Sequence, residues 1–261
     1  LRDERQDQIM AGNITGNLPD AADFLAYLAG KGFTQAQFTA SGFAVDVSDD
    51  GLDNGTTTPD NPFLRVGGLA VNASRVVYNR IENSGGFVTP GRTGFQGHGN
   101  LNSHIIGGFI PFAFGSGLPH ADSVGFRFGL GISPFVRVGM STIFNPGFTS
   151  PNFPNLQSRA YADGARISSN SWGANTGGAY TVDSQAYDAL TRDAQPASSV
   201  NPTAGNQEMV IVFSAGNAGG GANTVGSPGT AKNVICVGAA ENVHSHSIAN
   251  GGNSAAGTDG C

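Results

Sequence analysis

From Gly42 onward, short apolar runs alternate with segments of helical spacing. The runs Phe43–Ser48, Arg75–Tyr78, Phe135–Ser141, Arg166–Ser169, Met209–Phe213 and Val234–Val237 have strand length and are punctuated by Gly, Pro, Asn and Ser. Met209-Val210-Ile211-Val212-Phe213 is continuously apolar, as a strand covered on both faces should be. Helices are expected over Asn102–Gly107, Leu156–Asp163 and Asp183–Asp193. In the last, Val182, Ala186, Ala189 and Leu190 share a face and Asp183 is the cap. Residues 1–40 read as a helical lead-in, with Asp20 capping Ala21–Ala29 and Gly30-Lys31-Gly32 ending the helix. Strands alternating with helices predict an α/β body over residues 41–261: a doubly wound, mostly parallel sheet with helices on both faces. The Pro/Asn/Gly-rich stretches Asp50–Asn61, Asn145–Asn155 and Gln195–Asn206 are expected loops.

Composition narrows the function classes. Only 12% of the 261 residues are charged, about half the usual share, while there are 40 glycines; the surface is therefore neutral and polar. With 11 Arg, 2 Lys and a net charge of -6, neither a nucleic acid backbone nor an anionic membrane surface finds a cationic partner here. The longest low-polarity run, Ile105–Phe114, is broken by Gly107, Gly108 and Pro111 and is about half the roughly 20 residues of a membrane span. The sequence opens on Leu1-Arg2-Asp3-Glu4-Arg5 without an apolar signal core, which reads as a processed or cut end. Two cysteines make no disulfide framework, and Cys236, inside the apolar run Val234–Val237, reads as a buried inert thiol.

Three segments deliver polar side chains where a strand gives way to a turn or helix, the rim at which open α/β sheets bind ligands. Val45-Asp46-Val47-Ser48-Asp49-Asp50-Gly51 ends in two carboxylates and a glycine. Gly97-His98-Gly99-Asn100 opens a helical stretch with an accessible imidazole, and Phe213-Ser214-Ala215-Gly216-Asn217 leads from a strand into a glycine-flanked Asn. Taken singly, these are also an acidic turn with Asx hydrogen bonds, a surface histidine and a left-handed turn asparagine.

Together, in the order Asp, His, Asn, they resemble the subtilisin-like (subtilase) serine peptidases, with Asp49-Asp50-Gly51, His98-Gly99 and Ala215-Gly216-Asn217 filling the family's three motif positions. Gly131-Ile132-Ser133-Pro134, the strand running into Ser171-Trp172-Gly173, Gly226-Ser227-Pro228-Gly229 and Val237-Gly238-Ala239 extend the likeness over roughly residues 42–241. The resemblance implies a subtilisin-like fold and a serine endopeptidase acting on polypeptides outside the cell. It gives Asp49 the part of orienting an imidazole, His98 that of general base and acid, and Asn217 that of oxyanion donor. Ser171, Trp172, Gly173, Ala215 and Gly216 are implied in substrate binding. Asp46 and Asp50 compete with Asp49 for the carboxylate role; the Asp two residues before Gly51 holds the family position. After His98-Gly99 the family's Thr-His-Val-Ala-Gly is replaced by Asn100-Leu101-Asn102-Ser103-His104, and His104 is expected to be structural.

The family's nucleophile motif, Gly-Thr-Ser-x-Ala, has no counterpart after Asn217. Ser227 precedes a proline, Ser245 and Ser247 sit beside histidines, and Ser254 lacks the preceding Thr. The chain is therefore expected to be the N-terminal portion of a catalytic domain, its sheet incomplete at the C-terminus. The Ser would lie outside it, on further sequence or a separate C-terminal fragment, and the chain alone would be inactive. A non-catalytic extracellular binding or assembly module on the same scaffold is the alternative. No cofactor is needed for the chemistry. Asp50, Asp53, Asn54 and Asp60 offer hard oxygens suited to a structural calcium ion, which the resemblance also implies, whereas His244-Ser245-His246 lacks a third zinc ligand at recognisable spacing.

Overall fold

The structure, a computed structural model, describes residues 4–239 apart from 17, 20, 21, 95, 112, 115–117, 120 and 122–124. Its centre is a seven-stranded sheet formed by β1 (Ala44–Asp49), β2 (Val76–Asn83), β3 (Gly86–Val88), β4 (Arg137–Thr142), β5 (Ala165–Asn170), β6 (Val210–Ser214) and β7 (Ile235–Val237). The order is β7-β6-β5-β1-β4-β2-β3, parallel throughout except for the β2–β3 hairpin. The expected doubly wound α/β architecture is thus present, and all six sequence-predicted strands are found. The β3 hairpin was not foreseen; Gly86-Phe87-Val88 is too short and too exposed to leave a periodic signal.

Six helices are described: α1 (Glu4–Met10), α2 (Phe24–Gly30), α3 (Gln35–Ser41), α4 (His98–Gly107), α5 (Phe153–Ala162) and α6 (Val182–Arg192). Beneath α4, Val45, Val47, Val76, Val138 and Met140 form one core, against which Ile106 of α4 and Phe38 of α3 pack. On the opposite face, Ala160 of α5 and Tyr187 and Leu190 of α6 close over Tyr78, Ile211 and Phe213. Covering on both sides explains why every residue of β1 is buried.

Several boundaries differ from the sequence reading. The lead-in helix begins at Phe24 with Asp23 as cap, its side chain accepting from Ala26 N at 3.1 Å; Asp20 lies outside the described residues. Helix α4 starts at His98, four residues before expected, because Asp50 caps it from a distant segment. Asn152 caps α5 and so shortens the loop Asn145–Asn155. On α6 the cap is Thr181, reciprocated by Ser184, and not Asp183. Its buried face is Ser184, Tyr187 and Leu190, whereas Val182 is 79% exposed; the large Tyr187 ring, packed on Phe153, Trp172 and Phe213, fixes the helix rotation. Cys236 is exposed and not buried, since β7 is the outer strand of the described sheet and all three of its residues are open.

Candidate active site

The carboxyl ends of β1, β5 and β6 lie at one rim of the sheet, and the amino end of α4 meets them there. Parallel strands leave their last side chains and following loops on the same edge, where the strand order reverses about β1. Asp49 is the final residue of β1, 3% exposed, and His98 is the first residue of α4. His98 Nδ1 lies 2.8 Å from Asp49 Oδ1 and 2.9 Å from Oδ2, while the imidazole itself is about half exposed. One ring nitrogen is therefore held by a buried carboxylate, and the half-exposed ring borders a cleft. Asp49 Oδ1 also accepts the Asp50 N–H at 2.8 Å, and Oδ2 accepts the amide of Asn102 at 2.8 Å.

This closeness depends on two glycines. A Cβ on Gly99 would stand 2.3 Å from the Gly51 carbonyl oxygen, and one on Gly51 would stand 2.4 Å from that of Arg92, at a φ of 118°. Only residues without side chains let the first turn of α4 touch the turn after β1. Asp50 completes the junction: its Oδ1 accepts the Gly99 N–H at 2.7 Å, which supplies the helix cap that Gly97 cannot.

Of the competing carboxylates, Asp46 is remote from the rim. It is fully buried on the opposite face, receiving Tyr78 Oη at 2.8 Å and Ser141 Oγ at 2.7 Å on one oxygen, and Ser48 and Ser168 Oγ at 3.0 Å on the other. Burial raises its pKa above the ordinary aspartate value despite those hydroxyls. Ser168 also receives Asn170 Nδ2 at 3.0 Å, and Asn170 Oδ1 accepts the Trp172 indole N–H at 3.1 Å, so this network reaches the cleft wall. His104 packs edge-on against Phe63, and burial holds its pKa below the usual histidine value.

Asp49, Asp50, Gln96, His98, Phe144, Pro146 and Ser171–Gly173 enclose a cavity of about 230 Å³. Ser171-Trp172-Gly173 form its shared wall with a second cavity of about 380 Å³, whose lining includes Ser214, Gly216, Asn217, Thr224 and Gly226. Asn217 and four of the five expected binding residues thus line one bipartite cleft. Ala215 does not line it; its N–H donates to Val237 O at 2.9 Å and its carbonyl accepts from Gly226 N at 3.0 Å, tying β6 to the far wall. A reciprocal pair of bonds between Ala174 and Ser227, 2.8 and 3.0 Å, ties that wall to the Ser171–Gly173 segment. Among the described residues, no side chain lining the second cavity carries a charge.

Ser227 is 4% exposed, and its hydroxyl is engaged 2.6 Å from Thr181 Oγ1 and 3.1 Å from Ser184 Oγ. Ser245, Ser247, Ser254 and the His244/His246 pair lie outside the described residues. Two of the loop residues with hard oxygens are engaged in the loop's own turns. Asp53 spends Oδ1 on the N–H groups of Asn54 and Asp60 and Oδ2 on that of Asn61, and Asn54 Oδ1 accepts from Thr56. Among the described residues no group of three or more His, Cys, Asp or Glu could hold a metal, and no helix is long and apolar enough to cross a membrane. Asn102, Gln96, Phe144 and Pro146 were not singled out from the sequence; only the one-turn spacing of Asn102 from His98 could have signalled any of them.

No curated protein matches the chain. Among solved structures, the CspB protease of Clostridium perfringens matches at 14% sequence identity with a TM-score of 0.41, covering 72% of this chain and 39% of that one; the match thus spans well under half of that protein's length. The family model described as Subtilase family, Peptidase_S8, matches residues 40–260, and over that span the chain belongs to the subtilase family.

Proposed function

We propose that the protein is a serine endopeptidase that hydrolyses peptide bonds, with Asp49, His98 and Asn217 supplied by this chain and the nucleophilic Ser by sequence outside residues 1–261. The observation that carries the reading is the pair His98–Asp49, a half-exposed imidazole held at 2.8 Å by a 3% exposed carboxylate. A serine hydroxyl is a weak nucleophile at neutral pH and needs a base to remove its proton as it attacks an amide carbon. His98 Nε2 would take that proton and then deliver it to the departing amine. Asp49, bound to Nδ1–H, fixes the tautomer that leaves Nε2 free to accept and stabilises the imidazolium once formed. The Asn217 side-chain amide would donate to the oxyanion of the tetrahedral intermediate, an effect of roughly 10² to 10³ in rate for the corresponding donor of subtilisin. Ser171–Gly173, which runs between both cavities, offers an extended segment beside which a substrate backbone would add as a strand.

The same proposal takes residues 1–40 as a lead-in and the rest as the catalytic body, in keeping with a family match that begins at residue 40. It places the protein outside the cell, on the strength of family membership. The nucleophile would come from the same polypeptide or a separate fragment. No cofactor is required for the chemistry in this reading, which leaves room for a structural calcium ion.

The full-length protein should react with a fluorophosphonate probe, and His98→Ala should abolish that labelling. Absence of labelling at any probe concentration would favour the binding or assembly module instead.

A further inference from the structure

Asn102 stands one helical turn beyond His98 on α4, at the position the family pattern gives to Val. Its Nδ2 lies 2.8 Å from Asp49 Oδ2 and 3.3 Å from His98 Nδ1. Residues four apart on a helix face the same way, so the imidazole and the amide approach one carboxylate side by side. The orientation of the amide follows from charge: turned over, its oxygen would face a carboxylate oxygen at 2.8 Å, so the nitrogen is the atom presented. Asp49 then has two acceptor atoms and three donors, namely the Asp50 N–H, His98 Nδ1–H and the Asn102 amide.

We propose that Asn102 is a positioning residue for the Asp49–His98 pair, its amide anchoring Asp49 Oδ2 so that the carboxylate plane stays in register with the imidazole. Without that anchor, the backbone N–H of Asp50 at Oδ1 and the imidazole are its remaining partners. The carboxylate can then rotate about its Cβ–Cγ bond and release Nδ1. Because a buried charge left short of a donor loses the benefit of a charge-assisted hydrogen bond, the effect falls on the step in which the imidazolium forms and not on substrate binding.

This inference rests on the catalytic reading of Asp49 and His98, and its test separates the two. In the full-length protein, Asn102→Leu keeps the approximate size and removes the donor. It should lower kcat about 10- to 100-fold with KM unchanged, the range expected for one hydrogen bond to a charged group. Asn102→Asp is nearly isosteric but can donate to Asp49 only when protonated. At pH values where its carboxylate is ionised, its plateau kcat/KM should therefore fall at least as far as that of Asn102→Leu, and Asn102→Gln, which keeps the amide donor, should recover part of the loss, an order that a merely structural role would not give.

Should Asn102→Leu not fold, the Asp variant alone decides. A wild-type kcat in Asn102→Leu, or a wild-type plateau kcat/KM in Asn102→Asp, overturns the inference while loss of activity in His98→Ala leaves the catalytic reading standing. Activity surviving in His98→Ala overturns the catalytic reading and this inference with it.

Discussion

The Asp50 carboxylate caps a helix that lies 49 residues away in sequence: Oδ1 accepts the Gly99 N–H at 2.7 Å, directly after His98. Strand β1 thereby holds both the side chain and the backbone of the first turn of α4, Asp49 through the imidazole and Asp50 through the amide. Asp50→Ala should cost the full-length protein about 1 to 2 kcal/mol by chemical denaturation, as loss of an N-cap does. Gly99→Ala should cost about 1 to 3 kcal/mol and much of the activity, since its Cβ meets the Gly51 carbonyl at 2.3 Å and that backbone has no room to withdraw. Unchanged denaturation midpoints in both variants would mean that the junction contributes nothing.

Asp46 gives a different pH response. Its pKa is raised in the folded state, chiefly by burial, so the fold binds this proton more tightly than the unfolded chain does. Its contribution to stability is complete below the unfolded value of about 3.9 and is lost as pH rises through the folded-state value. Asp46→Asn is neutral at every pH, and the surrounding hydroxyls can rotate to serve its amide. The stability of the variant relative to wild type should therefore increase from pH 4 toward pH 8. Parallel stability curves would refute this.

Glu82 ties the hairpin side of the sheet to α5. Buried at 0% exposure, it accepts Arg80 Nε at 2.8 Å and Arg159 Nη2 at 2.6 Å. Removing one member of such a cluster leaves buried cations uncompensated, so Glu82→Ala should destabilise by about 3 to 5 kcal/mol. A loss below about 1 kcal/mol in denaturant titration would show that the two arginines find solvent or Asp163 instead.

Among the described residues the cavity bearing Asn217 has no charged lining residue, so the side chain it accepts should be uncharged. Peptide libraries digested by the full-length protein should show neutral residues before the scissile bond. Thr224→Asp, which puts a carboxylate on that lining, should shift preference toward Lys and Arg. Cleavage after basic residues by the unmodified protein would contradict the assignment of this cavity.

Some of this was determined by the sequence alone. Apolar runs of strand length separated by helical spacing marked all six principal strands, because side-chain period and burial are local properties that survive any choice of neighbours. The motif segments also carried their own punctuation: Gly51 and Gly99 stand where no side chain fits, and the polar residues beside them fall at the carboxyl ends of strands. The tertiary structure alone decided what those segments do to one another. Asp46 and Asp49 in β1 and Asp50 directly after it are neighbours in one acidic segment, yet Asp49 faces an imidazole, Asp50 caps a helix and Asp46 is sealed on the opposite face among hydroxyls. Asn102 meets Asp49 across 53 residues of sequence, α6 turns on the packing of Tyr187, and Cys236 lies open on the outer strand of the described sheet despite its apolar run. Each of these outcomes depends on the register of distant strands and the docking angle of a helix, and residue spacing within a single segment carries neither.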